Sequence, residues 1–365
     1  KSNIKWGIVM YITTVKLQNF RNYEKEKINL EKNINIFYGE NAQGKTNILE
    51  AVFIAAMGKS FRAKKDKELI KFNENNCSIE INFIRNSLEK KIKINFNEKK
   101  QITINGIKIN KLSQLLGNLN VVIFSPDDIN VLKDGPEKRR VFLNILISQL
   151  KPRYVYYFNL YKKTLEQRNN YLKQIKYSNK PIEGLEVWDE SLSNYAEKIY
   201  EYRKEYVNKI KEKINIIHSG ITEEKENILL EYISDFDENK SFYEILKENR
   251  KKDIEKGYTT KGIHRDDFKI YLNDNLVNIY GSQGQHRTVM LSLKLSELYI
   301  IKDEIGEYPI LLLDDFMSEL DSKRRKSFLN NITDAQVIIT GTEKIILEKN
   351  KVNVYNVKNG KVIIE

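Results

Sequence analysis

One octapeptide constrains the fold more than any other feature. Gly39-Glu40-Asn41-Ala42-Gln43-Gly44-Lys45-Thr46 reads G-x-x-x-x-G-K-T. Ahead of it, Ile34, Ile36 and Tyr38 alternate with Asn35 and Phe37 as in a strand. Behind it, Ile48, Leu49, Val52, Phe53 and Ala56 follow helical spacing, and Gly58 is a stop signal. A strand entering and a helix leaving is the setting in which such a loop cradles phosphate. The glycines let successive backbone N–H groups point at phosphate oxygens, and the helix N-terminus adds positive potential. In this reading Lys45 reaches the β- and γ-phosphates of ATP, and the Thr46 hydroxyl ligates Mg2+.

A phosphate cradle needs an acidic partner on a neighbouring strand. Ile310-Leu311-Leu312-Leu313-Asp314-Asp315 supplies it: four apolar residues, as expected of a buried parallel strand, ending in two carboxylates. Asp314 is assigned to Mg2+ and Asp315 to the attacking water. Just before that strand, Gly281-Ser282-Gln283-Gly284-Gln285 opens an amphipathic helix and builds a second N-terminal anion site. One chain thus carries two separate surfaces for a γ-phosphate. They make sense together if they meet across a dimer with ATP between the subunits.

The rest of the chain divides by period. From Ser78 to Lys111 apolar residues recur every second position, and Asn105-Gly106 turns one run into the next, so an antiparallel meander is expected. Pro126 and Gly135-Pro136 punctuate the following stretch. From about Glu137 to Asn249 the pattern is helical. Trp188, Leu192, Tyr195, Ile199, Tyr202 and Tyr206 form a coiled-coil-like seam, with a helix around Tyr154 to Ile175 as its partner. After Gly257 strands return at Phe268 to Leu272, Ile310 to Leu313, Val337 to Ile339 and Val352 to Ile364, with a helix from Val289 to Ile301. The expected domains are 10–135 with 258–365, and an inserted helical lobe at 136–257.

Composition narrows the partners. The formal charge is +12, which favours a polyanion, nucleic acid first and an anionic membrane surface second. One cysteine and three histidines exclude an internal disulfide and leave little for a zinc site. No run approaches the roughly 18 apolar residues of a membrane span. The first nine residues lack a signal-peptide pattern and precede the patterned sequence, so a cytoplasmic, soluble protein is expected.

These motifs, in this order, resemble the ABC-type ATPase head of the SMC class. Within that class the chain is similar to the RecF family of bacterial DNA replication and repair proteins, along nearly its whole length from Met10. Val15 to Tyr23, Gly58-Lys59-Ser60-Phe61-Arg62, Phe124 to Asp128, Pro136 to Arg140, Gly262 to Asp267 and Ser318-Glu319-Leu320-Asp321 carry the likeness. It implies an α/β fold, a P-loop NTPase head with an antiparallel β meander and an inserted helical lobe. It also implies that Arg21 helps bind nucleotide. Ser282, Gly284 and Gln285 would be the signature that touches the γ-phosphate held by the opposite protomer, and Asp321 would cross the interface. The family acts with RecR and RecO to load RecA at gaps.

Against the broader ABC pattern, Asp315 stands where many members have Glu, so slow hydrolysis is expected. Ile339-Thr340-Gly341-Thr342 stands at the usual switch histidine, leaving Thr340 or Thr342 to bond the γ-phosphate. Lys59, Arg62, Lys64, Lys65, Arg139 and Arg140, and the run Lys323 to Lys326, are candidate contacts to duplex DNA and gap junctions. Arg265, Asp266 and Asp267 read as an internal ion cluster. The alternatives are the nucleotide-binding subunit of a transporter and a DNA-binding head that does not hydrolyse ATP.

Overall fold

The structure, a computed structural model, describes residues 10–178, 180–236, 239–316, 328, 334–344 and 352–365. The chain forms two compact units, Lys1–Asp128 with Glu297–Glu365, and Ile129–Ser296.

The first unit holds two six-stranded sheets. One contains the expected meander, β4 (Cys77–Arg85), β5 (Leu88–Phe96), β6 (Gln101–Ile104) and β7 (Ile107–Ile109), extended by β1 (Met10–Phe20) and β2 (Tyr23–Asn29), all antiparallel in the order β2-β1-β4-β5-β6-β7. The other has the order β15-β14-β3-β13-β12-β8. In it β3 (Ile34–Tyr38), β8 (Val121–Phe124), β12 (Ile310–Asp314), β13 (Val337–Gly341) and β14 (Val352–Lys358) run parallel, and β15 (Lys361–Ile364) turns back on β14. Ile310 to Leu313 are fully buried, as a strand covered on both faces requires. Helix α1 (Lys45–Met57) packs against both sheets, and Ile48 to Met57 are buried on every side, the mark of a central helix. Gly58 ends it in the left-handed conformation, its N–H bonding Ile54 O at 2.7 Å. Gln336 stitches the two sheets: its buried amide accepts from Ile12 N at 2.7 Å and donates to Ile12 O and Glu31 O.

Register decides where the site forms. Asp314 pairs with Thr340, and Gly341 with Tyr38, so the ends of β12, β13 and β3 lie along one C-terminal sheet edge. That edge is where open α/β sheets bind ligands.

In the second unit, α2 (Asn130–Lys133) and α3 (Pro136–Leu150) lead into the long pair α4 (Pro152–Ser178) and α5 (Leu185–Thr222). The expected helical hairpin is present, but its seam is different. Leu185, Asp189, Leu192, Ala196, Ile199, Arg203, Tyr206, Ile210 and Ile214 are buried, while Trp188, Tyr195 and Tyr202 lie on the flanks. The displaced aromatics yield to polar residues that find buried partners. Arg168 of α4 bonds Asp189 at 2.6 Å and Asp253 at 2.7 Å, and Arg203 bonds Asp266 at 2.8 Å.

The expected helical stretch is also interrupted by β9 (Ile228–Ile233), which precedes α6 (Phe242–Glu248) and α7 (Arg250–Lys256). β10 (Asp267–Leu272) pairs with β9 from Asp267↔Ile233 to Leu272↔Ile228, and β11 (Asn275–Leu276) completes a three-stranded sheet before α8 (Val277–Tyr280). That pairing, with the Arg203–Asp266 bridge, is why residues 258–296 belong to the helical unit and not to the head, where they were expected. Helix α9 (Gln283–Ile305) contributes residues to both units. Among the described residues no helix is long and apolar enough to cross a membrane.

Candidate functional site

The octapeptide forms the loop between β3 and α1. Gly39 has φ 149°, and a side chain there would collide with the Val357 carbonyl. Gly44 has φ 114° and faces the Asn22 amide. Lys45 folds over the loop, its Nζ donating to Gly39 O at 2.6 Å and Glu40 O at 2.7 Å. Burial pulls its ammonium below the ordinary lysine value, and Asp315 and Asp314 oppose that pull.

Two turns hold the loop from outside. Asn22, between β1 and β2, donates to Gln43 O at 2.7 Å and accepts from Asn47 at 2.9 Å, while Tyr23 OH donates to Gly44 O at 3.0 Å. Asn359 and Gly360, the turn between β14 and β15, donate to Gln43 Oε1 at 2.6 Å and Gln43 O at 3.3 Å. The Gln43 side chain is therefore part of the scaffold. The single strand expected from Val352 to Ile364 is thus two, broken at Asn359-Gly360, a hairpin signal between apolar runs.

Asp314 closes the site. Thr46 Oγ1 donates to its Oδ1 at 2.7 Å, joining the first turn of α1 to the end of β12. Thr340 Oγ1 donates to the same oxygen at 2.8 Å and accepts from Asp315 N at 3.2 Å. Burial raises the Asp314 carboxyl above the ordinary aspartate value, the Thr46 and Thr340 donors partly restrain it, and Asp315 pushes it further up. Asp315 sits in the left-handed region at φ 48°, which an Asp tolerates better than most residues. Of the two threonines offered for a γ-phosphate, Thr340 is fully buried and its hydroxyl serves the two carboxylate residues. Thr342 is exposed.

Arg21 is committed inside the protein. Its Nε and Nη2 grip both oxygens of Glu50 at 2.9 and 2.7 Å, and Nη1 donates to Glu68 O at 2.8 Å. Glu50, on α1, is fully buried and also accepts from Ser60 at 2.5 Å. Arg21 thus anchors the helix behind the loop and does not offer a free guanidinium. Ser60 Oγ also receives the Arg62 and Ala63 N–H groups, each at 2.8 Å. That turns Arg62 back toward α1, 3.5 Å from Asn47 Oδ1 and close enough for its charge to lower the Asp314 pKa. Arg62, expected among the DNA contacts, therefore borders the carboxylate site.

The glycine-serine motif lies in the second unit. Ser282 Oγ accepts from Gln285 N at 3.2 Å and Gln285 Oε1 accepts from Ser282 N at 2.9 Å, a reciprocal cap on α9. Ser282, Gln283 and Gly284 are exposed, and a Cβ at Gly284 would meet only Ser282 Oγ, at 4.0 Å, among the described residues. The Ser282 hydroxyl accepts in this cap, so its proton can still be donated. Gln285 was expected to reach a phosphate, but its Nε2 is held by Glu226 at 2.8 Å.

The remaining expectations divide. Lys59, Lys64 and Lys65 are exposed beside the Gly58 turn. Arg139 and Arg140 are half-buried and engaged within the unit: Arg139 grips both oxygens of Asp267 at 2.6 and 3.0 Å, and Arg140 donates to Asp266 O at 2.8 Å. Asp321 and Lys323 to Lys326 lie outside the described residues.

The profile of the RecF/RecN/SMC N-terminal domain family matches residues 11–363. A DNA replication and repair protein RecF from Clostridium botulinum is 47% identical, covering 97% of this chain and 99% of its own. One from Clostridium tetani is 46% identical, covering 97% and 100%. A solved structure of the recombination mediator protein RecF-ATP of the RecFOR pathway superposes with TM-score 0.93 at 36% identity over 100% of both chains. An Smc head domain from Pyrococcus furiosus has TM-score 0.56 at 17% identity over 98% and 96%, a likeness of fold.

Proposed function

The chain belongs to the RecF family, within the RecF/RecN/SMC group, and from that premise we propose that it is a cytoplasmic recombination mediator of DNA replication and repair that binds ATP between two copies of itself on DNA. The carrying observation is the 2.7 Å bond from Thr46 to Asp314, which brings the head of α1 and the end of β12 into one site.

In this reading the loop from Gly39 to Gly44 wraps the phosphates with its N–H groups, and Lys45 supplies a fixed positive charge. Thr46 Oγ1 and the Asp314 carboxylate are the hard oxygen donors Mg2+ takes, and the ion would neutralise charge on the phosphates. Asp315 orients the attacking water. Aspartate is one methylene shorter than glutamate, so hydrolysis is slow and serves as a release switch. The Ser282 hydroxyl and the exposed N-terminus of α9 bind the γ-phosphate on the partner's nucleotide. Lys59, Lys64 and Lys65 contact DNA phosphates without reading sequence. RecR and RecO are the expected partners, and through them RecA at gaps. Relatives aligned along nearly the whole chain favour this reading over a transporter subunit.

The test is Lys45→Ala. It should abolish ATP binding, hydrolysis and the ATP-dependent part of duplex and gapped DNA binding, with the fold intact by circular dichroism. DNA binding should also weaken steeply as salt rises. ATP binding that survives Lys45→Ala would refute the assignment of the site.

A further inference from the structure

The Gly281–Gln285 loop is tied to the far end of the long helix α5. Gln285 Nε2 donates to Glu226 Oε1 at 2.8 Å. The other Glu226 oxygen lies 3.3 Å from His218 Nε2, and His218 Nδ1 lies 3.0 Å from Ser292 Oγ on α9. His218 is fully buried on the last turns of α5. The segment that carries Glu226 is fixed on both sides. Glu223 and Glu224 adopt left-handed conformations that end α5, with Glu224 N bonding Ser219 O at 2.9 Å. Asn227 pairs its N–H with Asn273 Oδ1 at 2.9 Å and its carbonyl with Asn273 N at 2.9 Å.

The hydrogen-bond roles are consistent. A carboxylate only accepts, so Gln285 must present its NH2 group to Glu226 and its carbonyl to Ser282 N. A neutral His218 donates from Nε2 to Glu226, and the Ser292 hydroxyl divides its one proton between His218 Nδ1 and Thr288 O, 2.9 Å away. Burial favours that neutral form, and Glu226 opposes it.

We propose that Glu226, backed by His218, is a positioning residue that locks the Gln285 amide and so fixes the Ser282–Gly284 loop in the shape that receives a phosphate. Gln285 then acts on the loop and not on the ligand. The proposal rests on the reading that this loop meets the nucleotide of a second copy. It adds that the end of α5 controls whether the loop can do so.

The experiment compares Glu226→Ala, Glu226→Gln and Ser282→Arg in the full-length chain. Each is assayed for ATP affinity and for the dimerisation constant with a non-hydrolysable ATP analogue, and its thermal stability is recorded. Glutamine can still accept from Gln285 and donate to the other tautomer of His218. Glu226→Gln should therefore dimerise within about twofold of the parent, while Glu226→Ala should dimerise at least about tenfold more weakly, the scale of one charge-assisted hydrogen bond. ATP affinity should be unchanged in both. Glu226 is partly exposed and sits in the irregular segment between α5 and β9, so loss of fold is not expected, and Glu226→Gln controls for it. Parent-like dimerisation in Glu226→Ala, or equal loss in Ala and Gln, overturns the tether alone, provided Ser282→Arg fails to dimerise. Parent-like dimerisation in Ser282→Arg overturns the underlying reading and the tether with it.

Discussion

Thr340→Val is the sharpest test of how the two carboxylate residues are held. Valine keeps the shape of threonine and removes only the hydroxyl, so packing in the fully buried position is preserved. Two bonds disappear. Asp314 Oδ1 loses a donor at 2.8 Å and, among the described residues, keeps Thr46. Asp315 N loses its acceptor at 3.2 Å, in a backbone already left-handed at φ 48°. A hydrogen bond to a charged group is worth about 1.5–3 kcal/mol, and a buried polar group left unmet costs about 1–3 kcal/mol. The two effects share one side chain, so about 3 kcal/mol in total is expected. Domains are stable by only about 5–15 kcal/mol, so urea unfolding with and without nucleotide will read this clearly. Turnover should fall as well, because the backbone of Asp315 loses the acceptor that Thr340 provides. Thr340→Ser restores the hydroxyl and should recover most of both losses. Stability within about 0.5 kcal/mol of the parent, the range of an inconsequential substitution, would refute the reasoning.

Other outcomes follow from the same contacts. Asp314→Asn should abolish hydrolysis yet stabilise the nucleotide-free protein at neutral pH. The raised carboxyl is penalised by the fold only when ionised, so the gain should vanish as pH falls to the ordinary value of 3.8, as thermal melts across pH would show. Gly360→Ala should weaken ATP affinity. The residue has φ 67°, a Cβ would lie 2.7 Å from Asn22 O, and the backbone alone resists by about 1–2 kcal/mol, which calorimetric titration would register. Arg203→Met should destabilise the helical unit by about 3 kcal/mol in denaturant unfolding. It leaves the Asp266 carboxylate buried with only Tyr232 and Ser234 as donors.

What was legible in the sequence was what chemistry writes locally. The octapeptide, the four apolar residues before Asp314, and the alternation from Ile79 to Ile109 each carry their structure within a few positions. The seam of α5 was less legible because Asp189 and Arg203 look like surface residues. Only partners on other segments, Arg168 and Asp266, make their burial tolerable. Arg139 and Arg140 misled for the same reason, since Asp266 and Asp267 lie more than a hundred residues away in sequence. The commitment of Thr340 follows from strand register, which no local pattern reveals. The Asn359-Gly360 turn was within reach, because its signal is two adjacent residues.

The most direct measurement is sedimentation equilibrium of the purified protein with ADP, with a non-cleavable ATP analogue plus Mg2+, and with neither. The parent should sediment at twice the protomer mass only with the triphosphate, and Ser282→Arg should stay at the protomer mass throughout. A parent that remains single with saturating analogue, or one that pairs equally well with ADP, would contradict a γ-phosphate shared between two copies.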